Sequence, residues 1–275
     1  MDPVARDRAR ALSLALPALS VFAAFWLLPM ARLAQVGASG KEGLSAYFAV
    51  LTNAAYFRSL VATVALSVGV TAATLVLSLI AGLFLQRNRF PGRGVLIALM
   101  TLPLAFPGVV VGFLVILLVG RQGLVGEVSQ RLFGETLVFA YGMAGLYVGY
   151  LYFSIPRVIL TIMASVEKLD PALEEAARSL GASTWQVLRD VILPALRPAI
   201  VSSGAICFAT AMGAFGTAFT LATQINVLPL TIYNEFTNYA NFAMAAALSI
   251  VLGVITWAAL ALARTAAGAG VAAAA

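Results

Sequence analysis

"KLDPALEEAARSLGASTWQVLRDVILPALRP", residues 168–198, is a charged stretch in a chain that is otherwise strongly apolar. Of the 275 residues, 62% are hydrophobic and only 10% are charged, whereas a soluble domain is usually about 45–50% apolar and about 25% charged. Several charge-free runs approach the roughly 20 residues that cross a bilayer as a helix. The composition therefore predicts one polytopic membrane domain, with the charged stretch in a loop outside the bilayer.

The first half of this stretch has the start and stop signals of a short helix. Asp170 is placed to N-cap it, and Pro171 suits the first helical position, where a missing N–H leaves no bond unmade. Glu174 and Glu175 come one position too late for a strict capping box, but they complement the positive end of the helix dipole. Gly181 is a typical C-terminal stop.

A second short helix is predicted after the glycine. Ser183 or Thr184 is positioned to cap it. We expect Pro194 to end it and Pro198 to redirect the chain into the next span. The apolar stripe of the first helix consists of Leu173, Ala176, Ala177 and Leu180. Because a helix of about ten residues is not stable alone in water, the hairpin must pack on its own transmembrane bundle or on another protein.

Six membrane spans are expected from the apolar runs. Their approximate ranges are 11–30, 60–85, 95–119, 136–156, 199–221 and 243–263. The first apolar run, at ~20 residues, exceeds the roughly 7–15 residues of a signal-peptide core, so we interpret it as a span. No Asp, Glu, Lys or Arg falls clearly inside a predicted span. Because proton-driven carriers rely on intramembrane charges, this pattern argues against one.

Proline and glycine interrupt the third, fourth and fifth predicted spans. The GxxxG pairs Gly108–Gly112 and Gly145–Gly149 allow helices to approach closely, which is also their ordinary role in packing. Their clustering favours kinked helices around a pathway. The candidate residues of this translocation pathway are Pro103, Pro107, Gly213, Phe215 and Gly216.

The distribution of basic residues predicts the orientation of the chain. Only five of the 17 lysines and arginines fall on segments expected outside, namely Arg32, Lys41, Arg58, Arg121 and Arg131. The excess on the alternate segments places both termini in the cytoplasm. We therefore interpret the net charge of +6 as a sign of topology rather than of nucleic-acid binding.

The composition excludes several kinds of chemistry. The chain has no histidine, which removes Ser-His-Asp triads and histidine-ligated metal sites. Its one cysteine, Cys207, cannot form an internal disulfide or a cysteine-rich metal site, and we interpret it as a small buried hydrophobe. Neither Lys41 nor Lys168 lies in a G-x-x-x-x-G-K-[ST] loop, so ATP hydrolysis is not expected on this chain.

The spacing within the charged stretch resembles a family motif. Glu175-Ala176-Ala177 is followed after three residues by Gly181, and after nine more by Val191-x-Leu193-Pro194. This resembles the EAA loop of ABC-importer permeases, E-A-A-x(2–3)-G-x(9)-I-x-L-P. The one departure is valine in place of the usual isoleucine, a conservative change. "FRSLVATVALSVGVTAATLVLSLIAGLFL" and "LPLTIYNEF…NFAMAAALSIVLGVI" also look like the opening and the ending of the permease core.

The resemblance implies the architecture of a type I importer permease. This is an all-α membrane protein with six transmembrane helices and a cytoplasmic helix-turn-helix coupling loop between helices 4 and 5. The permease core would cover residues 56–264, with the EAA loop at about 165–198. Residues 1–55 would form a cytoplasmic tail, the first transmembrane helix and an outer loop, and residues 265–275 a cytoplasmic tail. The implied location is the bacterial inner (plasma) membrane.

The resemblance also implies a division of labour between chains. This chain would be a non-catalytic subunit with no cofactor or metal of its own, while ATP and Mg²⁺ bind a partner. The implied partners are a cytoplasmic ABC ATPase dimer, a second permease subunit (homologous or identical), a periplasmic solute-binding protein and the lipid bilayer. The residues implied to couple to the ATPase are Glu174, Glu175, Ala176, Ala177, Gly181, Leu193 and Pro194. An ion-coupled secondary transporter is the alternative from another class.

Two stretches disagree about the solute. "SVEKLDPALEEAARSLGAS" is similar to polyamine-type permeases, whereas "AFGTAFTLATQINVLPLTIY" is similar to the oxyanion and thiamine types. We expect a small polar solute, with a polyamine as the leading interpretation. Phosphonate, sulfate, molybdate, iron(III) and thiamine are the alternatives. The outer loop before the last span either contacts the solute-binding protein, through Asn234, Glu235 and Asn238, or is a solvated loop.

Overall fold

A computed structural model describes residues 14–221 and 225–267, and within those ranges every regular element is a helix. In chain order the helices are α1 (Leu14–Ala38), α2 (Gly43–Thr52), α3 (Ala54–Arg87), α4 (Arg93–Ala105), α5 (Gly108–Val119), α6 (Leu124–Phe133), α7 (Met143–Glu167), α8 (Pro171–Ser179), α9 (Thr184–Met212), α10 (Gly216–Leu221), α11 (Leu228–Thr237) and α12 (Phe242–Ala267). The last turn of α4 is a 3-10 helix, and α9 contains a π-helical turn, Leu188–Ile192.

Six stretches are long and apolar enough to cross a membrane, which confirms the predicted number of spans and the all-α fold class. They are α1, α3, Gly108–Phe133 (α5 and α6), α7, α9 and Phe242–Thr265 of α12. The short helix α8 lies between the fourth and the fifth of these, as the motif implies. The predicted tails fall mostly on residues 1–13 and 268–275, which lie outside the described residues.

The third span, predicted over residues 95–119 with a kink at its prolines, is broken completely in the structure. The chain leaves helical geometry at Phe106, whose backbone is extended at φ −97° and ψ 136°, and Pro107 then caps α5. The cause is Pro107, because a proline ring disfavours helical geometry in the residue before it. The stretch is therefore two helices, α4 and α5, joined by a break within an apolar run.

The fourth span also differs from its predicted range of 136–156. Its helix, α7, runs from Met143 to Glu167, because the apolar run continues for nine residues beyond Arg157 to Val166. The predicted end had been set by the charge of Arg157. The expectation that no charged residue lies inside a span is therefore wrong, since Arg157 falls near the middle of α7.

The fifth span begins earlier than the predicted residue 199, because the second helix of the hairpin does not stop at Pro194. Helix α9 runs without a break from Thr184 to Met212, with Pro198 in its interior. In the π-helical turn before Pro194, the Leu193 N–H bonds to the carbonyl of Leu188, five residues earlier. This wider turn accommodates a ring that lacks an N–H and would otherwise break an α-helix.

Contacts divide the chain into two compact units, and the larger one contains residues 58–230. At its centre lies α7, whose Leu146, Tyr150 and Ile162 are fully buried. A Cβ on Gly112 of α5 would lie 2.6 Å from the Cβ of Thr220, closer than real atoms approach. Likewise, a Cβ on Gly149 would lie 2.8 Å from a methyl carbon of Thr217. Helices α5, α7 and α10 therefore meet at a distance that only glycine permits.

The smaller unit combines the first 57 residues with residues 231–254. A Cβ on Gly37 of α1 would lie 3.1 Å from the backbone nitrogen of Ala247 in α12. The hydroxyl of Tyr47 donates a hydrogen bond to the carbonyl of Ala34, which ties α2 to α1. The loop before α12 is held by Phe236 and Phe242, whose rings meet edge to face at 5.1 Å.

Candidate functional site: a capped hairpin and a membrane cavity

The hairpin, defined here as residues 170–192, has the local hydrogen bonds that its sequence predicts. The Asp170 carboxylate accepts a 2.9 Å bond from the Ala172 N–H and so caps α8. Ser183 and Gln186 form a reciprocal capping box at the start of α9, with bonds of 3.3 and 2.7 Å. Gly181 adopts φ +85°, in the left-handed region that favours glycine. The hairpin is therefore a stiff, self-capped unit.

The outer face of the hairpin leaves large apolar side chains uncovered. Leu173 is 57% exposed, Leu180 is 89% exposed and Trp185 is 64% exposed. The opposite face is buried, through Val187 and Ile192. The second face thus packs on the chain itself, whereas the first has no covering partner among the described residues.

Two of the predicted coupling residues, Glu174 and Glu175, line a groove beside the hairpin. The groove has a volume of about 410 Å³, and Arg87, Glu174, Glu175 and Arg178 are among its lining residues. The guanidinium of Arg87, at the end of α3, forms an ion pair with the carboxylate of Glu174. The other predicted residues are exposed or half-buried: Glu175, Ala176, Gly181 and Pro194 are exposed, and Ala177 and Leu193 are half-buried.

A second candidate site is a cavity of about 400 Å³ at the two chain breaks of the larger unit. This cavity is lined by Pro103, Leu104, Phe106, Gly108, Val111, Phe153, Arg157, Ala214, Gly216 and Thr217. One wall is the break between α4 and α5, the second is α7, and the third is the break between α9 and α10. Breaks in a membrane helix are tolerated where they are buried in protein or line a cavity.

Hydrogen bonds across the cavity walls satisfy the backbone at these breaks. The Thr217 hydroxyl donates to the carbonyl of Gly108 at 2.9 Å. The Tyr150 hydroxyl donates to the carbonyl of Ala214 at 2.5 Å. The two breaks are thereby fixed to each other and to α7, so the cavity is part of the packed core of this unit.

The predicted pathway residues are divided between this cavity and its supports. Pro103 and Gly216 line it. Pro107 is the N-cap of α5, and Gly213 is the C-cap of α9. The ring of Phe215 packs on that of Phe219, with centroids 5.3 Å apart.

Sequence reasoning missed Arg157 as a lining residue of the cavity. The side chain of Arg157 is exposed in the isolated chain. It donates one hydrogen bond, of 3.3 Å, to the hydroxyl of Thr210. None of the residues that line the cavity is acidic. The signal was present in "FSIPRVIL", where Arg157 is flanked by apolar residues on both sides.

The outer-loop candidates lie in the smaller unit. Glu235 is only 7% exposed, and its carboxylate accepts bonds from the Tyr56 hydroxyl at 2.8 Å and from the Asn241 amide at 3.1 Å. Asn238 is exposed and donates to Asn234 at 2.9 Å. Glu235 therefore holds the loop together, whereas Asn238 offers an open amide surface.

The family described as "binding-protein-dependent transport system inner membrane component" matches residues 74–267. The chain belongs to this family. It is therefore a permease subunit of an ABC importer, a multi-pass inner-membrane protein that moves a solute delivered by a binding protein. The ATP is used by a separate ATPase subunit. The prediction from the EAA motif is confirmed, and the ion-coupled carrier is dropped as an alternative.

Several relatives resemble this importer permease in sequence. The molybdenum transport system permease protein ModB of Escherichia coli K12 is 36% identical over 166 residues, which cover 59% of this chain and 72% of ModB. The sulfate transport system permease protein CysT of the same organism is 35% identical over 181 residues, 64% of each chain. The sulfate permease CysW of a Synechocystis strain is 28% identical over 246 residues, covering 87% of this chain and 88% of CysW.

Two solved structures share the fold of the permease. A chain of a bacterial alginate ABC transporter, in complex with an alginate-bound periplasmic protein, superimposes with a TM-score of 0.82 at 18% identity, covering 98% of this chain and 96% of that one. A chain of the MetNI methionine ABC transporter gives a TM-score of 0.54 at 17% identity, covering 76% of this chain and 94% of that one. At this identity the likeness concerns the fold alone.

Proposed function

We propose that the hairpin is the surface on which the ATPase docks. The observation that carries this proposal is the exposure of Leu173, Leu180 and Trp185 on a rigid, capped segment. Large apolar side chains clustered in water mark an interaction site. Glu174, Glu175, Ala176, Ala177, Gly181, Leu193 and Pro194 are the proposed coupling residues. Because the hairpin continues directly into the membrane as α9, a rigid-body shift of α8 would be transmitted to that span.

The docking proposal is tested with the substitution Leu180→Asp and a matched control. Leu44 of α2 is similarly exposed, at 72%, and lies outside both the hairpin and the six spans, so Leu44→Asp introduces the same change elsewhere. We expect Leu180→Asp to reduce co-purification of the ATPase by roughly tenfold or more, as for an interface hot spot. Leu44→Asp should leave it unchanged. Full retention of the ATPase by Leu180→Asp would contradict the proposal.

We further propose that the solute is a tetrahedral oxyanion of the molybdate or sulfate kind. Similarity to ModB, CysT and CysW supports the anion alternative over the polyamine. The test is uptake of labelled molybdate, sulfate and spermidine by cells that express the whole importer. We expect uptake of an oxyanion and none of spermidine, and the bound ligand of the purified binding protein should agree. Spermidine uptake alone would contradict this assignment.

The complex and its orientation are also proposals. We infer a pair of permease subunits, identical or homologous, between an ATPase dimer and a periplasmic binding protein that contacts Asn234, Asn238 and the loop that Glu235 organises. The core would cover residues 56–264 and both termini would be cytoplasmic. Because Cys207 is the sole cysteine, a Cys207→Ser background allows labelling tests. Arg89→Cys should be labelled only from the cytoplasm and Glu135→Cys, between the third and fourth spans, only from outside, and the reverse result would overturn the orientation.

A further inference from the structure

One charged side chain lies deep in the membrane part of the permease. Arg157 is followed by ten residues of α7, up to Glu167, which at about 1.5 Å per residue is roughly 15 Å. The hydrocarbon core of a bilayer is about 30 Å thick, so a core whose inner edge is at Glu167 has Arg157 near its middle. Arginines near helix ends reach the interface with their long side chains, but Arg157 is not in such a position. Charges at this depth are rare and mark ion or substrate pathways.

No carboxylate neutralises this charge among the described residues. The side chain of Arg157 donates to the neutral hydroxyl of Thr210, and it belongs to neither the Arg87–Glu174 nor the Arg189–Asp190 ion pair. An uncompensated charge in an apolar environment is strongly unfavourable, so membrane arginines normally have an anionic or carbonyl partner. The described part of the chain therefore supplies no anionic partner for Arg157.

The surroundings of Arg157 suit a small anion. Helix α5 begins at Gly108, which lines the same cavity, so the positive end of that helix dipole lies at its wall. A volume of about 400 Å³ is ample for a four-oxygen anion with some of its water. A guanidinium offers planar paired donors that match such oxygens.

We propose that Arg157 is the pathway residue that binds the oxyanion as it crosses the membrane. This inference rests on the oxyanion substrate proposed above. It places the anion in the cavity between the α4–α5 break, helix α7 and the α9–α10 break. The anion leaves the binding protein, pairs with Arg157 at mid-membrane and is released to the cytoplasm when the cavity opens inward. A single guanidinium with few neighbours binds weakly enough to release the ion, as conduction requires.

The experiment uses the complete importer, with its ATPase and binding protein, reconstituted in vesicles. The variants are Arg157→Gln, which removes the charge, Arg157→Lys, which keeps it without the paired donors, and Arg264→Gln. Arg264, in the last turn of α12, does not line the cavity, so its variant is the matched control for loss of an arginine. Two quantities are measured: ATP-driven uptake of labelled molybdate and sulfate, and the ATP hydrolysis stimulated by the loaded binding protein.

We expect Arg157→Gln to lower uptake by roughly tenfold or more, since a charged hydrogen-bonding partner of the anion is lost. Stimulated ATP hydrolysis should stay close to the wild-type value, which distinguishes a pathway role from a structural one. Arg157→Lys should retain intermediate uptake, and Arg264→Gln should match the wild type. This split between uptake and hydrolysis is the result that supports the inference.

Three results would overturn the inference. Equal uptake by Arg157→Gln and the wild type would show that the residue does not handle the anion. If the two permease subunits no longer associate in either Arg157 variant, Arg157 forms an ion pair with a carboxylate of the second permease subunit instead of binding the anion. If the wild-type importer takes up neither molybdate nor sulfate, the oxyanion proposal is refuted, and this inference is refuted with it. That outcome is read from the wild type alone and does not depend on the variants.

Discussion

The hairpin presents apolar side chains from a charged segment, whereas the cavity presents one charged side chain from an apolar segment. Leu180 and Trp185 are exposed where water is expected, and Arg157 lies where hydrocarbon is expected. Each region therefore contains the kind of residue that its surroundings disfavour. We propose that in both cases another molecule stabilises the residue, which would be a protein surface at the hairpin and an anion at the cavity.

The two regions also differ in how they are built. The hairpin is held by hydrogen bonds between residues a few positions apart, such as Asp170 with Ala172. The cavity is held by bonds between residues far apart in the chain, such as Thr217 with Gly108. Substitutions in the hairpin should therefore change coupling without unfolding the membrane part, whereas substitutions in the cavity walls should change the stability of the fold.

The largest effect is expected from Gly181→Leu. A left-handed backbone costs a non-glycine residue about 1–2 kcal/mol, and a leucine would also place bulk at the turn of the docking hairpin. Apart from its two chain neighbours, no described residue has an atom within 4 Å of a Cβ built on Gly181, so the membrane part should still fold. We expect ATP-driven uptake to be abolished while the amount of protein inserted in the membrane is unchanged.

The matched variant for this change is Gly181→Asn. Asparagine tolerates the left-handed region better than other residues and is smaller than leucine, so it should retain part of the uptake. Full uptake with Gly181→Leu would remove Gly181 from the coupling interface.

A smaller effect, on stability rather than coupling, is expected from Gly112→Ala. The added Cβ would meet the Cβ of Thr220 at 2.6 Å, and overpacking of this kind costs about 1–3 kcal/mol. The matched control is Gly253→Ala in α12, where a Cβ would meet nothing within 4 Å. We expect Gly112→Ala to lower the melting temperature of the purified permease. A thermal shift no larger than that of Gly253→Ala would mean that the walls of the cavity are not rigid.

The features that could be read from the sequence are the local ones. The caps at Asp170 and Ser183 and the turn at Gly181 each depend on residues within four positions, and all were predicted. The six spans followed from apolar length. The prediction that Pro194 ends the second helix is wrong. A π-helical turn accommodates this proline, and that turn depends on how α9 packs and has no sequence signature.

The features that could not be read depend on distant pairs. The cavity beside Arg157 is formed by residues of α4, α5 and α10 that lie far from it in the sequence. The ion pair of Arg87 with Glu174 joins residues 87 positions apart. Glu235 is buried because Tyr56, far away in the sequence, supplies a hydroxyl to it. Pairing of this kind is decided by tertiary packing.

A moderate effect is expected from Asp170→Ala, which removes the cap of α8. Loss of such a cap costs about 1 kcal/mol, and in a short exposed helix this cost falls on local opening rather than on global unfolding. We expect amide hydrogens of α8 to exchange about fivefold faster, with a modest loss of uptake. Asp170→Asn, which keeps a capping oxygen, should exchange like the wild type. If the amide hydrogens of α8 in Asp170→Ala exchange at the wild-type rate, the ion pair of Glu174 alone orders α8.

The smallest effect is expected from the Arg87–Glu174 ion pair, which links the end of α3 to α8. Its side chains are 37% and 18% exposed, so solvent screening limits its contribution to about 0–1 kcal/mol. Arg87→Glu and Glu174→Arg should each slow uptake slightly, and the double variant should recover part of the loss. The double-mutant cycle should be measured twice, on the melting temperature and on uptake. A coupling energy seen in uptake but not in melting would mean that the pair transmits motion from the hairpin to α3. A coupling seen in neither would leave the chain connections to α7 and α9 as the mechanical links between the hairpin and the membrane.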